Sequence, residues 1–354
     1  MNKYILVINP GSTSTKVALF KRDKQILKET IIHPRDQIAA HPKLWDQFDL
    51  RKSALINFIE TNNIKFNELE AVVGRGGLLK PLTGGTYLVN NQMLEDARKG
   101  LQGQHASNLG CALADSIARQ AGVKSYVVDP VSVDEFEPLA RYSGHPLIER
   151  RSLSHTLNIH AVGRVAANDL GVNYWKTNFI IAHLGGGISI CPLKKGRIVD
   201  VNDASSSGPF SPERTGELPL QQFITLCYSG KYSETDIRKM VMGKGGLYAY
   251  LHTADAMEVE NRIKKGDTKA AEIYQAMAYQ ISKEIGAMST VVNGDVRAIV
   301  ISGGLAKSKM LVDWITERVK FIAEVLVYPT EFEMQALAEG VVRVFDGVEK
   351  ALVY

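Results

Sequence analysis

From Asn9 to Lys16 the chain reads NPGSTSTK, a Pro-Gly turn between two short apolar strands that carries four hydroxyls and an ammonium group. A hairpin needs only two to five loop residues, often Asn-Gly or Asp-Gly. Ser12, Thr13, Ser14, Thr15 and Lys16 therefore supply more donors than the turn requires. Such an excess suits the holding of an anion. Two glycine-rich turns repeat the theme: Gly185-Gly186-Gly187 follows the strand IIAHL, and Gly303-Gly304 follows AIVIS. Backbone without Cβ approaches a ligand closely at such places, and consecutive amides form an anion-binding nest. One turn of this kind is a weak signal, whereas three that all leave strands point to the phosphates of a nucleotide. A helix is expected directly after Gly303-Gly304, adding its positive end or packing closely on an adenosine. GSTSTK lacks the second glycine of a P-loop, and no G-x-G-x-x-G opens a helix after a first strand, so the nucleotide fold must be another one.

The turns need strands to hold them. YILVINPGSTSTKVALFKRDKQILKET reads as strand, polar turn, strand, charged turn, strand, and NFIIAHLGGGISICPLKKGRIVDVND repeats that rhythm in the second half. Two hairpins in a long α/β chain can look alike by chance; read as a repeat, they imply two related domains that each offer a turn to a shared cleft. Between them, AVVGRGGLLKPLTGGTYLVNNQML is a strand with a long Gly-rich loop. HASNLGCALADSIARQAGV is a helix with Leu109, Ala112, Ile117 and Ala121 on one face, ended by Gly122, and KSYVVDP is a strand. Later, Ile273, Met277, Ile281 and Ile285 recur at helical spacing, on a face suited either to the core or to a partner. The expected domains are residues 1–152 and 153–338, with a last helix at about 339–354 returning to the first.

The 354 residues, 45% of them hydrophobic, can bury a sizeable core and favour two domains over one. Lys and Arg number 42 against 38 Asp and Glu without blocks of either sign, so the net charge of +4 gives no case for a nucleic-acid or membrane partner. Cys111, Cys191 and Cys227 lie far apart without metal-ligand spacing, which fits reduced thiols in the core. The opening MNKYILVIN has no cleavage site, and no apolar run reaches the ~20 residues of a membrane span. A soluble, cytoplasmic protein is expected.

VINPGSTSTKVALF, RRSLSHTLNIHAV, IIAHLGGGISI and VISGGLAKS resemble four signature regions of the acetokinase family, a branch of the acetate and sugar kinase, heat-shock protein and actin superfamily. The resemblance runs the whole length of the chain. It implies an α/β fold of two duplicated ribonuclease H-like (actin-like ATPase) domains, each a mixed five-stranded sheet flanked by helices, with a cleft between them. Within the family, the short chain, VGRGGLLKPLTGGTY and HLGGG are most similar to the butyrate kinase branch.

The resemblance also implies roles. A carboxylate kinase brings two anions together and stabilises a charge-spread phosphoryl group between them. Arg75 matches the arginine that grips the substrate carboxylate, for which its planar fork is suited. Arg214 matches a second arginine that stabilises the transition state, and His155 matches the histidine that donates to the phosphoryl in flight. His183 and His105 match supporting residues. Asn9, Ser12, Ser14 and Lys16 line the place of the γ-phosphoryl and its metal. Asp129 matches the carboxylate that orients Mg2+, directly or through water, and Glu333 the second acid of the metal site, with Glu331 two residues away as the alternative. Gly185, Gly186 and Gly187 lie by the β-phosphate, and Gly303 and Gly304 flank the adenosine. The implied cofactors are ATP/ADP and Mg2+, and the implied partners are a small carboxylic acid and a second copy of the chain, as a homodimer or higher homo-oligomer.

Gly76 and Gly77 stand where acetate kinases carry bulkier residues around the methyl pocket. Smaller residues would leave room for a longer acid, each buried methylene being worth about 0.8 kcal/mol. A pocket of that kind prefers C4 over C2 by about tenfold without excluding it. Two alternatives stay open: an acetate or propionate kinase, and a nucleotide-gated binding module like actin and the heat-shock proteins, which would hydrolyse ATP slowly and form no acyl phosphate.

Overall fold

The computed structural model describes residues 3–354. Its strands are β1 (Tyr4–Pro10), β2 (Ser14–Lys21), β3 (Lys24–Ile32), β4 (Leu69–Arg75), β5 (Thr86–Leu88), β6 (Lys124–Val128), β7 (Asn178–Leu184), β8 (Ile188–Lys194), β9 (Arg197–Ile198), β10 (Ala298–Ser302), β11 (Glu324–Tyr328) and β12 (Leu352–Val353). The chain divides into two compact units, one running to Asp134 and completed by Phe332–Tyr354, the other Glu135–Glu331. These limits fall earlier than the expected breaks after residues 152 and 338. The reason lies in residues 135–152, which bind the strand edge of the second unit: the Ile198 amide donates to Glu135 Oε2 at 2.9 Å, the Glu137 amide to the Val199 carbonyl, and Arg150 pairs with Asp200 at 2.7 Å. At the other end the helix Glu333–Phe345 is continuous, so the crossing precedes it rather than cutting through it.

In the first unit the sheet order is β12-β5-β6-β4-β1-β2-β3. β1 runs antiparallel to β2 and parallel to β4, β2 antiparallel to β3, and β4 parallel to β6. The sheet has seven strands rather than the expected five, because the short segments β5 and β12 extend it beyond β6. β1 and β4 are buried almost throughout, as inner parallel strands are. The outer strand β3 is largely exposed and carries Lys24, Lys28 and Glu29, charges that discourage edge-to-edge pairing.

The second unit has the order β11-β10-β7-β8-β9. β7 is antiparallel to β8 and β8 to β9, while β10 lies parallel to both β7 and β11. The five strands β3-β2-β1-β4-β6 have the same sequence of neighbours and directions, so the repeated meander reflects a duplicated architecture and not a coincidence of turns.

Helices cover both faces of each sheet. In the first unit Leu6, Ile8, Val17 and Leu19 pack with Leu55, Phe58, Ile59, Leu113 and Ile117 of the helices Phe48–Thr61 and Asn108–Ala121. Ala112 and Ala121 are half-buried, Ala121 at the margin of that contact, and Leu113, Ala114 and Ala118 take the central places. Glu333–Phe345 packs on the opposite face, and a Cβ on its Gly340 would come within 2.5 Å of Val128 Cγ2. In the second unit Ile180, Ala182, Ile190, Ile299 and Ile301 meet Ile273, Met277, Ile281 and Ile285 of the helix Thr268–Val291. That apolar face is core, not a partner surface. The helix Thr156–Asp169 covers the other side, with Gly163 set against Leu193.

The three cysteines are free thiols; Cys111 and Cys191 are buried. Burial pushes the Cys111 thiol up to about 12 and the Cys191 thiol upward as well. No helix of the described residues is long and apolar enough to cross a membrane.

Candidate active site

Ligands of open α/β sheets collect at the carboxyl ends of the parallel strands. In the first unit those ends hold Asn9 on β1, Arg75 on β4 and Asp129 directly after β6. Side chains alternate along a strand, so Asn9 leaves the β1 face opposite Leu6 and Ile8, on the side of the C-terminal helix. Lys16 is its cross-strand partner on β2, and Ser14 shares the face of Lys16. Glu333, the first residue of the C-terminal helix, completes the group. Asn9 Nδ2 donates to Glu333 Oε2 at 2.8 Å, Arg75 Nη1 pairs with Glu333 Oε1 at 2.9 Å, and Arg75 reaches Asn9 Oδ1 at 3.5 Å. It is Glu333 that makes these contacts; Glu331 lies exposed on the approach to the helix. Asp129 is buried with φ at +39°, a left-handed conformation unusual for a side chain-bearing residue. Gly85 holds it there, donating its amide to Asp129 Oδ1 at 2.7 Å and accepting the Asp129 amide at 3.0 Å.

The polar turn is held from beneath. Ser12 and Thr13 are exposed at its tip, and Thr15 is fully buried. Arg51, on the helix Phe48–Thr61, donates to the carbonyls of Ser12 at 3.1 Å and Ser14 at 3.0 Å and to Thr15 Oγ1 at 3.0 Å. The His33 amide takes the Thr13 carbonyl at 2.8 Å, and His33 Nε2 lies 2.9 Å from Thr15 Oγ1. Because an arginine only donates, Thr15 accepts from it and has its own proton for His33 Nε2. Neither Arg51 nor His33 was singled out by the motifs. The available signal was Arg51 itself, placed among Leu55, Phe58 and Ile59 on the buried stripe of its helix.

In the second unit His183 near the end of β7 and His155 at the entry to the helix Thr156–Asp169 stack with ring centroids 4.2 Å apart. His155 Nδ1 bonds Ser189 Oγ at 2.9 Å, and His183 Nδ1 bonds Asn158 Oδ1 at 2.9 Å. Ser302, at the end of β10, donates to the same Asn158 oxygen at 3.0 Å. Ser189, Asn158 and Ser302 thus orient the two imidazoles, which the sequence motifs did not disclose. Gly185, Gly186 and Gly187 form the β7–β8 turn, and Arg214 lies over it: a Cβ on Gly187 would sit 2.5 Å from Arg214 Nη1. Ser211 ties this together, donating to the Gly186 carbonyl at 2.6 Å and accepting the Arg214 amide at 3.2 Å. Burial pulls the Arg214 guanidinium below its usual value, and Glu213 and Asp203 work against that fall.

The Gly303-Gly304 turn differs from expectation. Gly303, at φ +89°, packs against the end of β7, where a Cβ would come 2.9 Å from the Leu184 carbonyl carbon. Gly304 has open space at its Cβ position and begins a 3-10 turn, Gly304–Lys307. The α-helix starts only at Lys309, and the Ser308 side chain already accepts the Leu311 amide at its head. No α-helix end is therefore presented at Gly303-Gly304, and only Gly304 has open space beside it.

The acetokinase family profile matches residues 142–334. A probable butyrate kinase of Listeria innocua is 47% identical over 355 aligned residues, covering all of both chains, and butyrate kinase 2 of Clostridium acetobutylicum is 47% identical over 99% of each. The chain belongs to the acetokinase family. Its structure is similar to Porphyromonas gingivalis acetate kinase, with a TM-score of 0.79 at 18% identity over 96% of this chain and 99% of that one. At that identity the likeness establishes the fold, that of the actin-like ATPases.

In this acetokinase the loop after Arg75 does not open space as its glycines suggest. A Cβ on Gly76 would lie 2.5 Å from Val127 Cγ1, and one on Gly77 would lie 2.6 Å from both the amide nitrogen and Cα of Asn108. The missing side chains are used for close packing, so the pocket argument built on them falls. His105 lies in the exposed loop that leads to Asn108, its Nδ1 accepting the Ser107 amide at 3.2 Å.

Gly77→Ala is expected to destabilise the acetokinase by about 1–3 kcal/mol in urea unfolding, the usual cost of overpacking; a variant as stable as the parent would show that the loop has room. His33 provides a pH signature. Its pKa is drawn below 6.5, first by burial and then by Arg51. The unfolded chain takes up that proton more readily, so the stability is complete above pH 6.5 and is lost as the pH falls from there through the folded-state value. His33→Gln is expected to flatten this acid-side slope in unfolding curves taken over about pH 5 to 7.

Proposed function

We propose that this acetokinase transfers the γ-phosphoryl group of ATP reversibly, with Mg2+, to the carboxylate of butyrate or a related short or branched-chain acid, giving an acyl phosphate and ADP by direct in-line transfer. The observation that carries the reading is Arg75, whose guanidinium binds a carboxylate at 2.9 Å beside the anion-holding turn of β1 and β2. The names of the full-length relatives support the acid class.

In this reading Arg75 holds the acid in its planar fork. Glu333 now pairs with its Nη1 and has to make room for the substrate. Gly185, Gly186 and Gly187 lie by the β-phosphate, the Gly185 amide being donated to the Gly187 carbonyl at 3.1 Å, and Gly303 and Gly304 flank the adenosine, with open space at Gly304. Ser12, Ser14 and Lys16 supply donors to the γ-phosphoryl. Arg214 and His155, the latter oriented by Ser189 and by the stacked His183, stabilise the charge spread over the transferring group. Asn9, Asp129 and Glu333 are oxygen donors of the kind a hard cation takes. Magnesium keeps several waters and is bound through one or two carboxylates. Magnesium, held by these three residues, would neutralise charge on the phosphates.

The acetokinase is read as cytoplasmic and self-associating. With Ile273–Ile285 in the core, the surface that supports a homodimer or higher homo-oligomer is the helix Leu220–Cys227, which buries none of its residues and exposes Leu220 and Ile224, with Tyr228 just beyond it. Sedimentation of the parent and of Ile224→Glu tests this: the parent is expected to run as an oligomer and the variant as a smaller species, and a monomeric parent refutes it.

The chemistry is tested by ATP-dependent acyl hydroxamate formation with acetate, propionate, butyrate and isobutyrate, with and without Mg2+. A magnesium-dependent rate that peaks at four carbons is expected, and Arg75→Ala should lower kcat/KM for the acid on the order of 100-fold while ATP affinity is retained. Absence of hydroxamate with every acid would point instead to a nucleotide-gated module, and an equal loss of ATP binding would remove Arg75 from its role.

A further inference from the structure

Arg51 is 0% exposed. Its guanidinium has five N–H groups, and all of them are used: Nε and Nη2 on Gln47 Oε1 at 3.3 and 3.0 Å, Nη2 on the Ser12 carbonyl, and Nη1 on the Ser14 carbonyl and Thr15 Oγ1. Every one of these acceptors is neutral. A buried cation commonly has a carboxylate partner, since burial without one is costly; among the described residues none pairs with Arg51. Three of the five bonds reach the turn between β1 and β2. They draw oxygen lone pairs of Ser12, Ser14 and Thr15 inward, as the His33 amide does for Thr13, so that an anion on the outer side meets donors and not acceptors.

We propose that Arg51 is the positioning residue of the anion-holding turn, turning its oxygens inward and setting an unneutralised positive charge behind the place of the γ-phosphoryl group. The proposal rests on the assignment of the γ-phosphoryl to this turn in the function proposed above. It makes a distinction that general damage to the fold would not: ATP carries the group in question and ADP does not. Lysine at the same place keeps the charge but loses the fork.

The test is calorimetric titration of the full-length protein with ATP and with ADP, without any acid acceptor. Arg51→Met is expected to bind ATP about tenfold more weakly and ADP within about twofold of the parent, with Arg51→Lys between the two. Thr15→Val, which removes one acceptor and leaves the arginine, should shift ATP alone and by less. If Arg51→Met does not fold, the lysine and valine variants decide on the same comparison. Equal weakening of ATP and ADP, or no weakening of ATP, overturns the role of Arg51. A parent protein that binds neither nucleotide overturns the phosphotransfer reading itself, and the role of Arg51 with it.

Discussion

The carboxylate of Glu333 is shared between the guanidinium of Arg75 and the amide of Asn9, and much of the first unit serves to make that sharing possible. Arg75 and Asn9 stand at the carboxyl ends of two adjacent parallel strands, so their side chains emerge on one side of the sheet. Glu333 reaches them because it begins a helix that lies close to the sheet, a closeness allowed by Gly340 against Val128. A cation, an amide and an anion held together in partly buried surroundings attract each other more strongly than they would in water. Any other carboxylate that pairs with Arg75 has to compete with that of Glu333.

The duplicated architecture explains why the second unit has a comparable site of different chemistry. His183 is the last residue but one of β7, as Asn9 is of β1. Thr156, next to His155, precedes Gly163 by as many residues as Glu333 precedes Gly340. Each unit thus brings a strand end against the start of a helix seated by a mid-helix glycine. One juxtaposition holds an Asn–Glu–Arg group and the other a pair of stacked imidazoles.

Much of this was legible in the sequence because its signals are local. The β-branched runs of both meanders, the periodic apolar residues of Thr268–Val291 and the excess donors of Ser12–Lys16 each concern neighbours along the chain. What could not be read there depends on distant partners. Asn9 and Glu333 are 324 residues apart. The resemblance named both, but not their contact. Gly76 and Gly77 looked like missing bulk, and only the approach of Asn108 and Val127 shows that the space is filled. The strands β5 and β12 are too short to carry a pattern. Arg51 was visible as a charge on an apolar stripe, but its meaning required the turn above it.

The helix that covers one face of the first sheet, and the strand β12 that extends it, are made only after the second unit. Domains generally fold as units while the chain emerges, yet this first unit remains without Glu333, Gly340 and its outermost strand until the whole of Glu135–Glu331 has been synthesised. The second unit has no such wait, since Thr156–Asp169 precedes its sheet. Translation therefore finishes the later unit before the earlier one, and the half-made first sheet must keep an apolar face out of trouble for the length of that interval.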